Sequence, residues 1–532
     1  MNVNFKPLGI AAAVAAASAG YAGMANAQSG ALAAETELGD LAIVPYYTVR
    51  EGYATGVNVI NTSDRTQALK IRFRRAEDSM DALDFNVVLS PQDVYTGFIT
   101  ADGDDIKFVS NDNSCTAPAY PAGGFQMPNI YRGAPTNVTN SIDATSGYIE
   151  ILSMGSPVTE TSAVAVAAKH DATGVPADCA GVRDNFFRGG VSMTTRGVVD
   201  SALTVQRVTN PTTGAVVPTD NVWEESPNSL KVSYFIKSDE TGVEFGDNAV
   251  HVENYFDGPA MTNQQLGVFD GDLCGFDHPD LNGGSPDTVC GATGASIGLY
   301  DDLRTVLGAQ TLINDWSANA AGDFTVDTDW VVTIPGQYLM VDLPFFQVGL
   351  DTGFDVCTRG GTTITGTGTA FDGVSLPPCD FRDIPMTATF TVYDREEQGI
   401  VVEEGDLVVS PQPPSEIPVD VLSREVNVIQ WGNAPVLNAP AFIAVDGPDG
   451  ARFGWTSLAA TSSPDTRVCE YNPGSFNPIA QALGYDIPDM TCNTVTSPAP
   501  MIGFVAWQRA FANLPAANYG RIVSHSRTQS AP

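Results

Sequence analysis

The chain has 532 residues, an apolar fraction of 43%, a charged fraction of 17% and a formal net charge of −36 at pH 7. That composition excludes an intrinsically disordered chain and leaves room for two or three domains with ample core. The acidic excess repels phosphate backbones and anionic lipids, so nucleic acid and membrane surfaces are poor partners, whereas divalent cations or a salty medium suit it.

Met1 to Lys6 carries a positive charge, residues 8–20 are small and apolar, and Ala25-Asn26-Ala27 is an A-x-A cleavage pattern. Residues 1–27 are therefore expected to be a cleaved secretory signal peptide. No later apolar run reaches bilayer length, so the mature chain is expected to lack a transmembrane segment. The expected location is the cell surface or the exterior, with the periplasm as the alternative.

Strand signals follow in turn. Leu41 to Val49 is apolar and β-prone, and Val57 to Ile60 lies between glycines and an Asn61-Thr62-Ser63-Asp64 turn. Leu69 to Arg75 alternates, with Leu69, Ile71 and Phe73 on one face and Lys70, Arg72 and Arg74 on the other. That pattern predicts a half-buried antiparallel strand. Phe85 to Leu89, Val94 to Ile99, Tyr148 to Leu152, Ala163 to Ala168, Leu230 to Ile236 and Ala249 to Tyr255 read as further strands. Asp301 to Trp316 is the best helix candidate, with Asp301 and Asp302 at its N-terminus. Trp330 to Ile334, Met386 to Tyr393, Val426 to Trp431 and Ala441 to Val445 return to strand. Asn477 to Gly484 frames a short helix, and Met501 to Phe511 fits either strand or helix.

The expected fold is mostly β: two or three antiparallel β-sandwich-like domains with a few short helices, stapled by disulfides. The expected segments are 28–200, 201–400 with a helix near 301–316, and 401–532. Eight cysteines allow 105 pairings. Their spacing favours Cys115 with Cys179, Cys274 with Cys290, Cys357 with Cys379, and Cys469 with Cys492. No C-x-x-C occurs, which argues against a metal or redox role.

Leu41 to Ser63, Ile71 to Phe98, Thr328 to Thr333, Tyr393 to Glu397, Glu425 to Trp431 and Asn518-Tyr519-Gly520 carry a resemblance. Together they resemble a set of uncharacterised exported, β-rich proteins of Gram-negative bacteria. The resemblance implies a secreted or surface-associated β-rich protein and transfers no activity.

Several constellations bear on chemistry. Gly294-Ala295-Ser296-Ile297-Gly298 matches G-x-S-x-G, with His525 as the only base in the right chain order. The preceding stretch is not an apolar strand, so a turn is the better account. The four histidines, His170, His251, His278 and His525, have no zinc-ligand spacing. His251 is expected on a solvent face. The loop from Phe269 to Cys290 holds Asp270, Asp272, Asp277, Asp280 and Asp287, enough carboxylates for a calcium site if Cys274 and Cys290 pair. No EF-hand register fits it, and a solvated acidic loop is the simpler account. Asp102, Asp104 and Asp105 form a weaker cluster. The acidic stretch Asp394 to Asp406 could be read as a glycosidase carboxylate pair, but adjacent glutamates at a strand end are usually solvated.

Tyr46, Tyr47 and Tyr53 could seat a sugar, or belong to the core. Lys70, Arg72 and Arg74 are expected to pair across strands with carboxylates among Glu77, Asp78, Asp81 and Asp84. These features give no coherent catalytic set. The expected function is a non-enzymatic surface, matrix or adhesion protein that meets a surface polysaccharide or other surface proteins. A secreted hydrolase and a periplasmic ligand- or calcium-binding module are the alternatives.

Overall fold

Side-chain alternation builds the first two sheets. In the computed structural model the described residues run from 31 to 528, apart from 128–143, 187–204, 261–278, 284–298, 343–355, 370–374, 377–385, 411–420, 477–487 and some shorter stretches. They form one compact unit. Strands Gln67–Arg75, Asp81–Leu89 and Ser146–Pro157 pair antiparallel at the centre of an eight-stranded sheet that also holds Leu41–Thr48 and Val250–Glu253. A six-stranded antiparallel sheet faces it, with Tyr53–Asn61, Val94–Asp102 and Leu230–Ser238 at its centre. Rings interlock between them: Phe73 and Phe85 on the first sheet meet Phe108, Tyr95 and Phe125 on the second at centroid distances of 4.5–6.2 Å. This is a sandwich core.

A third, twelve-stranded sheet is built from residues 311 onward. Thr311–Ala321 pairs with Phe453–Thr461, which pairs with Met386–Asp394. Phe324–Thr333 pairs with Val426–Trp431 and with Ile502–Phe511, which pairs with Tyr519–Ser524. Pairing is antiparallel except between Val426–Trp431 and Phe442–Val445. Trp316 and Trp431 stack at 5.2 Å inside this sheet, with Trp330 and Phe390 against Trp431.

The outcome is mostly β, sandwich-like and antiparallel, as expected. Sheet pairing runs across the boundaries expected near 200 and 400. Leu230–Ser238 joins Tyr53–Asn61, and Met386–Asp394 joins Phe453–Thr461.

Two elements differ in kind from expectation. Ala163–Ala168 is a helix, because its alanines favour that state and the Ser162 side chain caps Ala165 N–H. The helix expected over 301–316 covers only Leu299–Leu307, and Thr311–Ala321 is a strand. Gly308 ends the helix where a Cβ would lie 2.1 Å from the Arg304 carbonyl oxygen. Met501 to Phe511 resolves to strand, Ile502–Phe511.

Cys115 and Cys179 form a disulfide that ties the Cys115–Ala117 strand to the Cys179–Phe186 helix. It closes a small core of Val88, Met154, Val164, Ala168 and Val182. The register places Cys469 directly opposite Cys492. The Cys274–Cys290 and Cys357–Cys379 pairings lie outside the described side chains. Replacing Cys115 and Cys179 by serine is expected to cost about 2–4 kcal/mol. Urea unfolding checks this, and an unchanged midpoint would contradict it.

Candidate functional site

The expected sites sort quickly. Tyr46, Tyr47 and Tyr53 are buried, at 4% exposure or less, so they belong to the core and make no surface platform. His251 is buried as well, contrary to expectation. Its strand lies between Leu32–Ala33 and Leu41–Thr48, and its Nε2 accepts from Val232 N–H at 2.9 Å. Burial pushes its pKa down to about 4. His525 is held neutral: Nε2 donates to the Val331 carbonyl at 2.9 Å, and Nδ1 accepts from Asn314 at 3.0 Å. Burial pushes its pKa down to about 3, so both ring nitrogens are committed to structure.

Ser90, Asp93 and His170 lie together, but Ser90 Oγ (3.2 Å) and Asp93 Oδ2 (3.3 Å) both meet the same ring nitrogen, Nδ1. A charge-relay set needs the two on opposite nitrogens. Ser296 and His278 lie outside the described residues, as do Asp270, Asp272, Asp277 and Asp287 of the expected calcium loop. Asp280 is buried and bridged to Gly283. Among the described residues no group of three metal-ligating side chains occurs. Asp102 pairs with Lys107 at 2.5 Å, and Asp394 Oδ1 caps the Glu396 N–H.

The Lys70, Arg72 and Arg74 face does pair across strands, but in full burial. Asp84 lies 3.1 Å from Lys70 and 3.5 Å from Arg72. Glu150, from the neighbouring strand, takes Arg74 in a fork at 3.1 and 3.3 Å. All five side chains are fully buried. The half-buried expectation fails because later chain covers this face: Arg72 donates to the Pro279 carbonyl at 3.0 Å, and Val426 N–H reaches the Ala76 carbonyl. This cluster is structural.

An open cleft of about 470 Å³ lies between Tyr53, Glu51 and Glu240 on one side and Pro435, Asn438 and Phe442 on the other. Its second wall is pinned from inside. Asp329 Oδ2 accepts from Val436 and Leu437 N–H at 2.9 and 2.8 Å, and Tyr53 OH donates to the Val436 carbonyl at 2.7 Å.

The surface feature with chemistry is on the third sheet. Tyr393, Trp455 and Asp315 are direct cross-strand partners on three adjacent strands, so their side chains share one face. Strand alternation turns that face outward, because the intervening Val392, Thr456 and Trp316 are buried. Tyr393 and Trp455 stack at 4.4 Å with planes 13° apart, and Trp455 remains 43% exposed. Phe453, two residues on, is also exposed and lies under the Arg395 guanidinium at 5.1 Å.

Asp315 continues the row. Its Oδ1 accepts from Trp507 Nε1 at 2.9 Å, and Arg521 lies over the Trp507 ring at 4.7 Å. Of the six tryptophans, Trp223, Trp316, Trp330 and Trp431 are buried, whereas Trp455 and Trp507 serve this outer face. Sequence spacing could not gather these residues, since they come from strands up to about 200 positions apart. Exposed flat rings offer apolar faces, and the flanking carboxylate and guanidinium offer planar acceptors and donors. No protein-family model matches the chain, and no curated protein matches it in sequence.

Proposed function

We propose that this is an exported, non-enzymatic surface or matrix protein that holds a polysaccharide on the outer face of its third sheet. The row Tyr393–Trp455–Asp315–Trp507 supports this most directly. A pyranose ring presents C–H groups on its faces and hydroxyls round its edge. Stacked aromatic rings take the faces, and carboxylate and guanidinium groups beside them take the hydroxyls. Strands are spaced about 4.8 Å apart. A row running across them therefore offers repeated contacts to an extended glycan. The sequence-level signs of export and the disulfide agree with an oxidising, extracellular setting.

The test is binding of the full mature protein to soluble polysaccharides, a neutral β-glucan and polygalacturonate, read by gel retardation and tryptophan fluorescence. Trp455→Ala is expected to weaken binding about fivefold, the loss of one stacked ring at about 1 kcal/mol. Trp455 is exposed, so stability should change little. Retention of neither polymer by the wild type, or full retention by the variant, would overturn the proposal.

A further inference from the structure

The outer face does not end at Trp507. On Ile502–Phe511 the same side of the strand carries Trp507, Arg509 and Phe511. Across from them stand Arg521 and Tyr519 on one neighbouring strand and Phe324 on the other. Arg509 sits among three rings: its guanidinium carbon is 4.6 Å over Phe324, 5.8 Å from Phe511 and 6.0 Å from Tyr519. Nη1 donates to the Tyr519 hydroxyl at 3.2 Å.

Resting on the polysaccharide proposal above, we infer that the glycan is acidic and that Arg509, with Arg521 beside it, receives the carboxylate of a uronic acid residue. The chain has 62 acidic against 26 basic residues, so an arginine without a carboxylate partner goes against its composition. Yet among the described residues no carboxylate forms an ion pair with Arg509. Arg521 is only loosely matched, 3.9 Å from Asp315 Oδ2, and its side chain is 55% exposed.

Arg509 and Arg521, on neighbouring strands of this sheet, each lie over an aromatic ring, and so does Arg395, one residue past the strand that ends at Asp394. Rings against a guanidinium's faces hold its plane and leave its edge for a fork-shaped contact. A planar carboxylate fits that fork with two parallel hydrogen bonds. The net charge of −36 opposes an anionic polymer at a distance. That field is screened beyond about 8 Å at physiological salt, whereas a contact pair is screened much less.

The measurement is the ratio of affinities of the full mature protein for polygalacturonate and for a neutral β-glucan of similar length. Wild type is expected to favour polygalacturonate, and Arg509→Gln to lower the ratio about tenfold, the loss of one charge-assisted pair. Arg509→Lys keeps the charge without the fork and is expected to fall between them. A wild type that prefers the neutral glucan, a ratio unmoved by Arg509→Gln, or tighter binding of dextran sulfate overturns the uronate assignment alone. Retention of neither polymer overturns the polysaccharide proposal with it.

Discussion

Glu150→Ala is expected to cost about 3–5 kcal/mol, a large share of the roughly 5–15 kcal/mol that ordinarily separates folded from unfolded protein. Glu150 accepts from Arg74 Nε and Nη2, lies 3.9 Å from Arg72, and accepts from the Tyr148 hydroxyl at 3.2 Å. Removing it takes the forked carboxylate from a fully buried arginine. Replacing both members tells cost from benefit: Arg74→Met with Glu150→Leu is expected to recover part of the loss, because one buried cation leaves together with the buried carboxylate. Urea unfolding of the two singles and the double gives the coupling. A Glu150→Ala protein within about 1 kcal/mol of wild type would show that the ion cluster is not what holds these strands.

Asp329→Asn is expected to leave the protein as stable as wild type at pH 4 and up to about 4 kcal/mol more stable at pH 8. Burial pushes the Asp329 pKa up to about 7, although two backbone N–H bonds pull the other way. Its Oδ1 is buried with no partner. A carboxyl whose folded pKa is raised gives stability that is full below the ordinary aspartate value. That stability drains away as pH climbs through 7. Asparagine keeps an oxygen for Val436 and Leu437 N–H and cannot ionise. The gap should therefore widen by about 1.4 kcal/mol per pH unit between pH 4 and 7.

Asp40 is built the same way, accepting from Tyr255 and Phe256 N–H, with its pKa pushed up to about 7 by burial. His251 and His525 run in the opposite sense. Their lowered pKa values give stability that is full above pH 6.5 and lost as pH falls toward 4 and 3. Two protons held by the folded chain thus balance two held by the unfolded one between about pH 4 and 6.5. Wild type should be nearly flat there as far as these four groups go, and the two aspartate variants together should expose the histidine slope. A parallel pH profile for Asp329→Asn and wild type would refute this.

Local chemistry in the sequence sufficed wherever one strand's own pattern decides its state. Val426–Trp431 and Met386–Asp394 match expectation almost residue for residue. It fails at Ala163–Ala168, which reads as a strand but is a helix carried by its alanines and the Ser162 cap. Alternation also cannot separate a face that meets water from one that a later segment covers. Lys70, Arg72 and Arg74 were legible as a charged row, and nearby Asp84 as a partner. Glu150 was not, since only strand register brings it alongside. The outer aromatic row was hidden for the same reason. Tyr46, Tyr47 and Tyr53 are close in sequence and buried, whereas Tyr393, Trp455 and Asp315 meet only through two ladders.

The long reach of those ladders governs how the chain can acquire its structure. Leu41–Thr48 takes Val250–Glu253 as its neighbour, and Tyr53–Asn61 takes Leu230–Ser238. Thr311–Ala321 is flanked by Ser526–Thr528. A chain emerging N-terminus first must carry open strand edges until roughly 200 further residues arrive, at each of these three strands. Pairing over such separations is slow, and open apolar edges recruit other chains. Crowded nascent copies are thus more exposed to mispairing than finished ones, and a helper that shields strand edges during emergence would raise the yield of native protein without touching its final stability.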